Sequence, residues 1–93
     1  MKRGYDVIMI DVVSRLLRER LYQDEKWGKQ RHNMEKWLVI LVEEVGEFAQ
    51  AIQKDEIQFK KTDANNKLEE ITHVSAVAVA IIEQLLEERE KEL

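Results

Sequence analysis

Glu43, Glu44 and Glu47 are set into LVEEVGEFAQAI (41–52), a run otherwise built mostly from Leu, Val, Phe, Ala and Ile. Further along, KLEEITHV (67–74) places Glu69 and Glu70 ahead of His73. On a helix, residues three or four apart share a face, so Glu44 and Glu43 each pair with Glu47, and Glu70 pairs with His73. Packing the two segments together would bring Glu44, Glu47, Glu70 and His73 to one place. Carboxylates held close repel one another and raise each other's pKa. A divalent cation removes that repulsion, and Mg²⁺ and Mn²⁺ prefer oxygen ligands. Mg²⁺ commonly completes its shell with water and substrate phosphates, so the cluster suits a phosphate-processing site. The competing reading puts the glutamates on an exposed edge, paired with Lys36, Lys54 or Lys67. That reading suits a single glutamate better than it suits Glu44 and Glu47 together on an apolar helix. Gly46 costs roughly 1 kcal/mol against alanine in mid-helix, which implies a close approach there.

The elements that must position these residues are helical. The chain has 93 residues, no proline and three glycines, and is rich in Leu, Ile, Val, Ala, Glu and Lys. Those residues favour helix, and the length fits one all-α domain over residues 1–93. A first helix is predicted over Asp6–Gln23, with Met9, Val13, Leu16, Leu17 and Leu21 near one face and Arg15, Arg18, Glu19 and Arg20 broadly opposite. QDEKWGKQRHN (23–33) reads as a loop around Gly28 with room for a short turn of helix. A second helix starts at Asn33 as N-cap and carries Trp37, Leu38, Leu41, Val45, Phe48 and Ile52 on one side. It weakens across 54–66, with a short helix expected around Ile57. A third begins between Asp63 and Asn66, where Asn66 and Glu69 form a capping box, and runs to about Glu90. From Val74 to Ile82 it is apolar or small on every side, which predicts burial all round. Three helices of one chain can hardly supply that cover, so the expected architecture is a bundle of three main helices completed by self-association into a dimer or tetramer.

Composition excludes several classes. Charged residues make up 37% of the chain at a net charge of −4. Charges are mixed, so there is no basic footprint for nucleic acid. Without cysteine there are no disulfides, thiolate metal sites or thiol nucleophiles, which fits a cytoplasmic protein. Asp6 and Asp11 break up the apolar start, so no signal peptide is expected. The longest stretch free of full charges, ITHVSAVAVAII (71–82), is too short to span a bilayer, so no membrane partner is expected.

The two glutamate segments together resemble the MazG-like branch of the all-α nucleoside triphosphate pyrophosphohydrolases, whose hallmark is E-E-x-x-E on one helix and E-x-x-D on a later one. Glu43, Glu44 and Glu47 match the first half, and Glu70 begins the second. The resemblance covers about residues 14–86, and ERLYQDEKWGKQRHNMEKW is similar to the lead-in of a phage-associated subgroup. It implies hydrolysis of a nucleoside triphosphate between the α and β phosphates, giving a monophosphate and pyrophosphate with Mg²⁺, or Mn²⁺, as cofactor. By position, Glu44, Glu47 and Glu70 would be metal ligands, and Glu43 would orient or deprotonate the attacking water, with Glu47 beside it in catalysis. His73 occupies the family's aspartate position. It would ligate a metal other than Mg²⁺, contact phosphate as a cation, stand by as a spectator, or mark a fold without catalysis. The phosphate-holding basic or amide residues that many relatives carry after the second metal helix are replaced by EEREKEL, so they must come from elsewhere. The alternative function is a helical dimerisation, regulatory or nucleotide-binding module that does not turn over.

Trp27 and Trp37 flank a loop carrying Lys26, Lys29, Arg31 and His32. One reading is the lip of a nucleotide pocket, with an aromatic face for the base and cations for phosphates. The spacing of Trp37 to Leu41 and Val45 makes it a core residue, whereas Trp27 beside Gly28 leans towards substrate binding. His32 could reach a ligand or be simply solvated. Of the lysines around the second loop, including Lys60 and Lys61, Lys54 and Lys67 are the candidates for phosphate. The acidic stretch 87–92 reads as a solvated helix face.

Overall fold

The computed structural model describes residues 4–57, 62 and 64–92. They are all-helical, with α1 over Tyr5–Trp27, α2 over Met34–Ile52 and α3 over Lys67–Lys91. Lys60 and Lys61 lie outside the described residues. No helix is long and apolar enough to cross a membrane among the described residues.

Helix α1 runs four residues beyond the predicted end, because nothing in QDEK breaks a helix before Gly28. Gly28 then terminates it with φ 77, donating its N–H to the Asp24 carbonyl at 2.8 Å. A side chain is disfavoured at that dihedral, which is why glycine stands there. Trp27 is therefore the last residue of a helix and not part of the loop. Asn33 and Asn66 cap α2 and α3 as expected, accepting from the backbone N–H of Lys36 at 2.8 Å and of Glu69 at 2.9 Å. The short helix expected around Ile57 is a π-helical turn over Gln53–Ile57 that continues directly from α2.

Helix α3 is the shared element, with α2 and α1 both packed on it. The core is small: Trp37, Val77 and Ala80, flanked by Ile40, Leu41 and Ile81. Gln84, 7% exposed, ties it together. Its Oε1 accepts from Trp37 Nε1 at 2.7 Å and from the His32 backbone N–H at 3.1 Å, and its Nε2 donates to the His32 carbonyl at 2.7 Å. Replacing Gln84 with Leu strands the buried Trp37 donor together with the half-buried His32 N–H and carbonyl. It is expected to cost about 2–3 kcal/mol, read as a lower denaturation midpoint.

Packing within one chain leaves the 74–82 stretch partly open, as expected of three helices alone, and departs from expectation at α1 and at Gly46. The 74–82 stretch is not covered all round: Ala76, Val77 and Ala80 are buried, but Ile82 is 54% exposed. Helix α1 does not present a clean apolar face either. Leu17 and Leu21 are exposed while Arg20 is buried. Arg20 is accommodated because its guanidinium meets Glu83 Oε2 on α3 at 2.6 Å and Asp24 Oδ1 at 3.2 Å. Among the described residues nothing lies within 4 Å of where a Cβ on Gly46 would sit, so the close approach expected there does not occur among them.

Candidate metal centre

Glu44 on α2 and Glu70 and His73 on α3 meet where the two helices pack, each offering one ligand atom within 4.8 Å of the others. Glu70 is 1% exposed. It sits in the first turn of α3, where the helix dipole favours an anion. Asn65 Nδ2 donates to its Oε1 at 3.2 Å, and His73 Nδ1 lies 3.2 Å from the same oxygen. Its other oxygen, Oε2, is buried without a hydrogen-bond partner, as is Oε2 of Glu44. Two desolvated carboxylate oxygens with no donor are costly, and a bound cation is the usual remedy.

The electrostatics agree with the geometry. Burial pushes the Glu44 carboxyl above its ordinary range, and the negative charges of Glu70, Glu19 and Glu43 add to that, while His73 opposes it. Glu47 is raised as well, first by loss of solvent around its carboxyl, then by a hydrogen bond with Glu70 and the charges of Glu44 and Glu70. Among the described residues the cluster is thus a set of crowded carboxylates that His73 only partly offsets. Lys54 and Lys67, the lysines nearest in sequence to the two segments, are engaged elsewhere. Lys54 Nζ donates to the Ala64 carbonyl at 2.8 Å, and Lys67 pairs with Glu56. Neither is brought to the carboxylates as a phosphate-binding cation.

The cluster is bordered by two larger clefts. One, of about 470 Å³, runs from Glu44, Glu19 and His73 past Ile40 and Trp37 to Tyr22 and Trp27. The other, of about 500 Å³, holds Glu47, Gln50 and Thr62 around Glu70 and His73. Both lie in the range of roughly 300–1,000 Å³ common for small-molecule sites. Trp27, 56% exposed, lines the aromatic end of the first. Lys26 Nζ sits 4.7 Å from the centre of its ring. Trp37 is a core residue, as its spacing predicts. His32 is not a lining residue: its ring packs edge-on against Trp37, with centroids 4.8 Å apart, and its Nε2 meets Gln30 Oε1 at 3.2 Å. Glu43 and Glu47 are exposed on α2 and outside the three-residue group, so Glu47, expected among the ligands, is not brought in with them.

Sequence reasoning missed two features. Glu19 on α1 reaches the site, with its Oε1 3.7 Å from His73 Nε2 and its side chain 18% exposed. Read by periodicity it belonged to the polar face of α1, and only the packing of α1 on α3 turns it inward. Glu87 is not merely solvated. Arg31 grips it through Nε and Nη2 along one guanidinium edge, at 3.0 and 2.6 Å, and Lys29 joins at 3.2 Å, which holds its carboxyl down at about 2. Two of the loop cations considered for phosphate are therefore used to fasten the loop to α3.

Compared with protein-family models, curated proteins and solved structures, the chain matches none.

Proposed function

We propose that this chain is a metal-dependent nucleoside triphosphate pyrophosphohydrolase of the MazG-like kind, cleaving a triphosphate to a monophosphate and pyrophosphate. The observation that carries the reading is the pair of buried, partnerless oxygens, Oε2 of Glu44 and Oε2 of Glu70, beside His73. In it, Glu44, Glu70 and His73 hold the ion, with Glu47 on its open side. The ion, Mg²⁺ or Mn²⁺, supplies charge for the phosphate oxygens and acidifies a bound water. Glu47, with a raised pKa and an exposed position, is suited to take the proton of the attacking water, and Glu43, exposed one turn earlier on α2, is the residue to orient it. The cleft ending at Trp27 and Tyr22 suits a base, and Arg18 on α1, exposed in a groove that His73 also borders, is a cation available for the phosphates. Incubation with a panel of triphosphates and assay of monophosphate and pyrophosphate tests the reading. Equal turnover by a Glu70→Gln variant would rule out this site.

A second reading has its own support. His73 lies between Glu70 and Glu19 and, when protonated, neutralises part of the cluster without any ion. That arrangement suits a helical regulatory or nucleotide-binding module. Metal-dependent product formation separates the two.

We further propose that the working form is a homo-oligomer, dimer or tetramer. Its support is surface. The accessible area is 7328 Å², against about 5,700 Å² for a compact chain of this mass. The radius of gyration is 15.5 Å, against roughly 12 Å. Leu38, Val42 and Val45 on α2 and Ile71 and Ile82 on α3 are exposed, and Gly46 lies beside the α2 stripe with nothing over it. Val42→Asp is harmless in a monomer and disruptive in an assembly. Light scattering is expected to give at least a dimer for the native chain and a smaller species for the variant. A native monomer would refute the assembly.

A further inference from the structure

We infer that the site at Glu44, Glu70 and His73 takes a first-row transition ion such as Mn²⁺ or Zn²⁺ in preference to Mg²⁺, with Glu19 as the positioning residue that orients the His73 ring. The inference rests on the metal site of the proposed function and adds to it a class of ion and a fourth side chain, from α1.

Three observations carry it. Glu70 is buried in the cluster with Oε2 unpartnered, and among the described residues no lysine or arginine forms an ion pair with it or with Glu44. Arg20, the buried guanidinium on α1, is committed to Glu83 and Asp24. The donor set also contains an imidazole. Mg²⁺ holds hard oxygen ligands and takes nitrogen poorly, whereas Mn²⁺ and Zn²⁺ accept imidazole readily. Finally, the ring is already placed for the task. Nδ1 lies 3.2 Å from Glu70 Oε1, so the imidazole already stands beside the carboxylate that would share the ion with it. The opposite nitrogen, Nε2, faces Glu19 Oε1 at 3.7 Å. Glu19 is itself steadied by Gln23, whose Nε2 donates to its other oxygen at 3.2 Å. A carboxylate behind a ligating imidazole fixes the tautomer and ring direction and makes the free nitrogen a better ligand. The 3.7 Å separation is an ion-pair distance, and ion binding through Nδ1 would leave the Nε2 proton to Glu19.

Calorimetric titration of Mn²⁺ and Mg²⁺ into the native chain, His73→Asp and Glu19→Gln tests this, with circular dichroism to confirm that each remains helical. The native chain is expected to bind Mn²⁺ at least ~10-fold more tightly than Mg²⁺. His73→Asp brings that ratio towards one, and Glu19→Gln weakens Mn²⁺ by about 10- to 100-fold with little change for Mg²⁺. A second readout needs no variant. The chain has two histidines, and saturating Zn²⁺ is expected to shift the imidazole ¹⁵N resonances of His73 while leaving those of His32 in place. If His73→Asp fails to fold, Glu19→Gln and the ¹⁵N shifts decide. An unchanged Mn²⁺ to Mg²⁺ ratio in the variants, with unmoved ¹⁵N resonances, overturns the inference and leaves Mg²⁺-dependent hydrolysis intact. Absence of binding by either ion overturns both this inference and the hydrolase reading.

Discussion

Glu70→Gln is expected to raise the melting temperature of the metal-free chain while removing triphosphate cleavage. The native carboxylate is 1% exposed, and one of its oxygens has no partner. Burying an incompletely compensated charge is destabilising, and a neutral side chain of the same shape relieves it. Gln keeps an oxygen for Asn65 Nδ2 and turns an N–H₂ towards Glu44 and Glu47, which need donors. A gain of about 1–2 kcal/mol is in the range of such relief, and corresponds to roughly 4–16 °C in a domain of this size. On the proposed mechanism the same change removes a metal ligand, and a loss of about 4 kcal/mol in transition-state stabilisation lowers turnover roughly a thousandfold. Stability and activity moving in opposite directions is the mark of a residue kept for function. A fall in both would make Glu70 a structural residue.

The second large effect is on pH. Glu44 and Glu47 have pKa values raised in the folded chain, so between the ordinary carboxylate value and the raised one the folded state holds more protons than the unfolded state. Stability then falls as pH rises through that window. The metal-free chain is expected to melt at a higher temperature near pH 5 than near pH 7.5. Glu87 works in the other direction but elsewhere, since a carboxyl held at about 2 loses its contribution only as pH falls below the ordinary range. A bound dication needs deprotonated ligands and stabilises more as pH rises, so saturating Mn²⁺ should cancel or reverse the slope. Glu44→Gln should flatten it without metal. Melting curves across pH, with and without the ion, check all three; a metal-free chain that gains stability from pH 5 to 7.5 would contradict the crowded-carboxylate description.

Local chemistry made much of this legible. Asn33 and Asn66 sit ahead of apolar periodic runs, and each caps the helix it precedes. Spacing of three and four put Glu44 on the packed side of α2 and Glu70 with His73 on one face of α3, and these three do meet, while Glu47, expected with them, stays outside the group. What was not legible depends on pairing across long sequence distances. Glu19 and His73 lie on different helices, and nothing in either helix alone says they touch. Arg20 reads as a solvent residue by polarity, and becomes a buried one only because Glu83 on α3 and Asp24 in its own helix receive it. Arg31 and Lys29 were candidates for phosphate until Glu87, 56 residues beyond Arg31, claimed both. Lys54 and Lys67 were drawn off in the same way by partners in the connection between α2 and α3.

The central claim is tested most directly by products. The chain would be incubated with each ribo- and deoxyribonucleoside triphosphate, with dUTP and with an oxidised purine triphosphate, in Mg²⁺ or Mn²⁺, beside Glu70→Gln. Monophosphate and pyrophosphate in equal amounts, from a few of the nucleotides, only with a dication and only from the native chain, is the expected result. No product with any nucleotide and either ion, or release of orthophosphate in place of pyrophosphate, would contradict it.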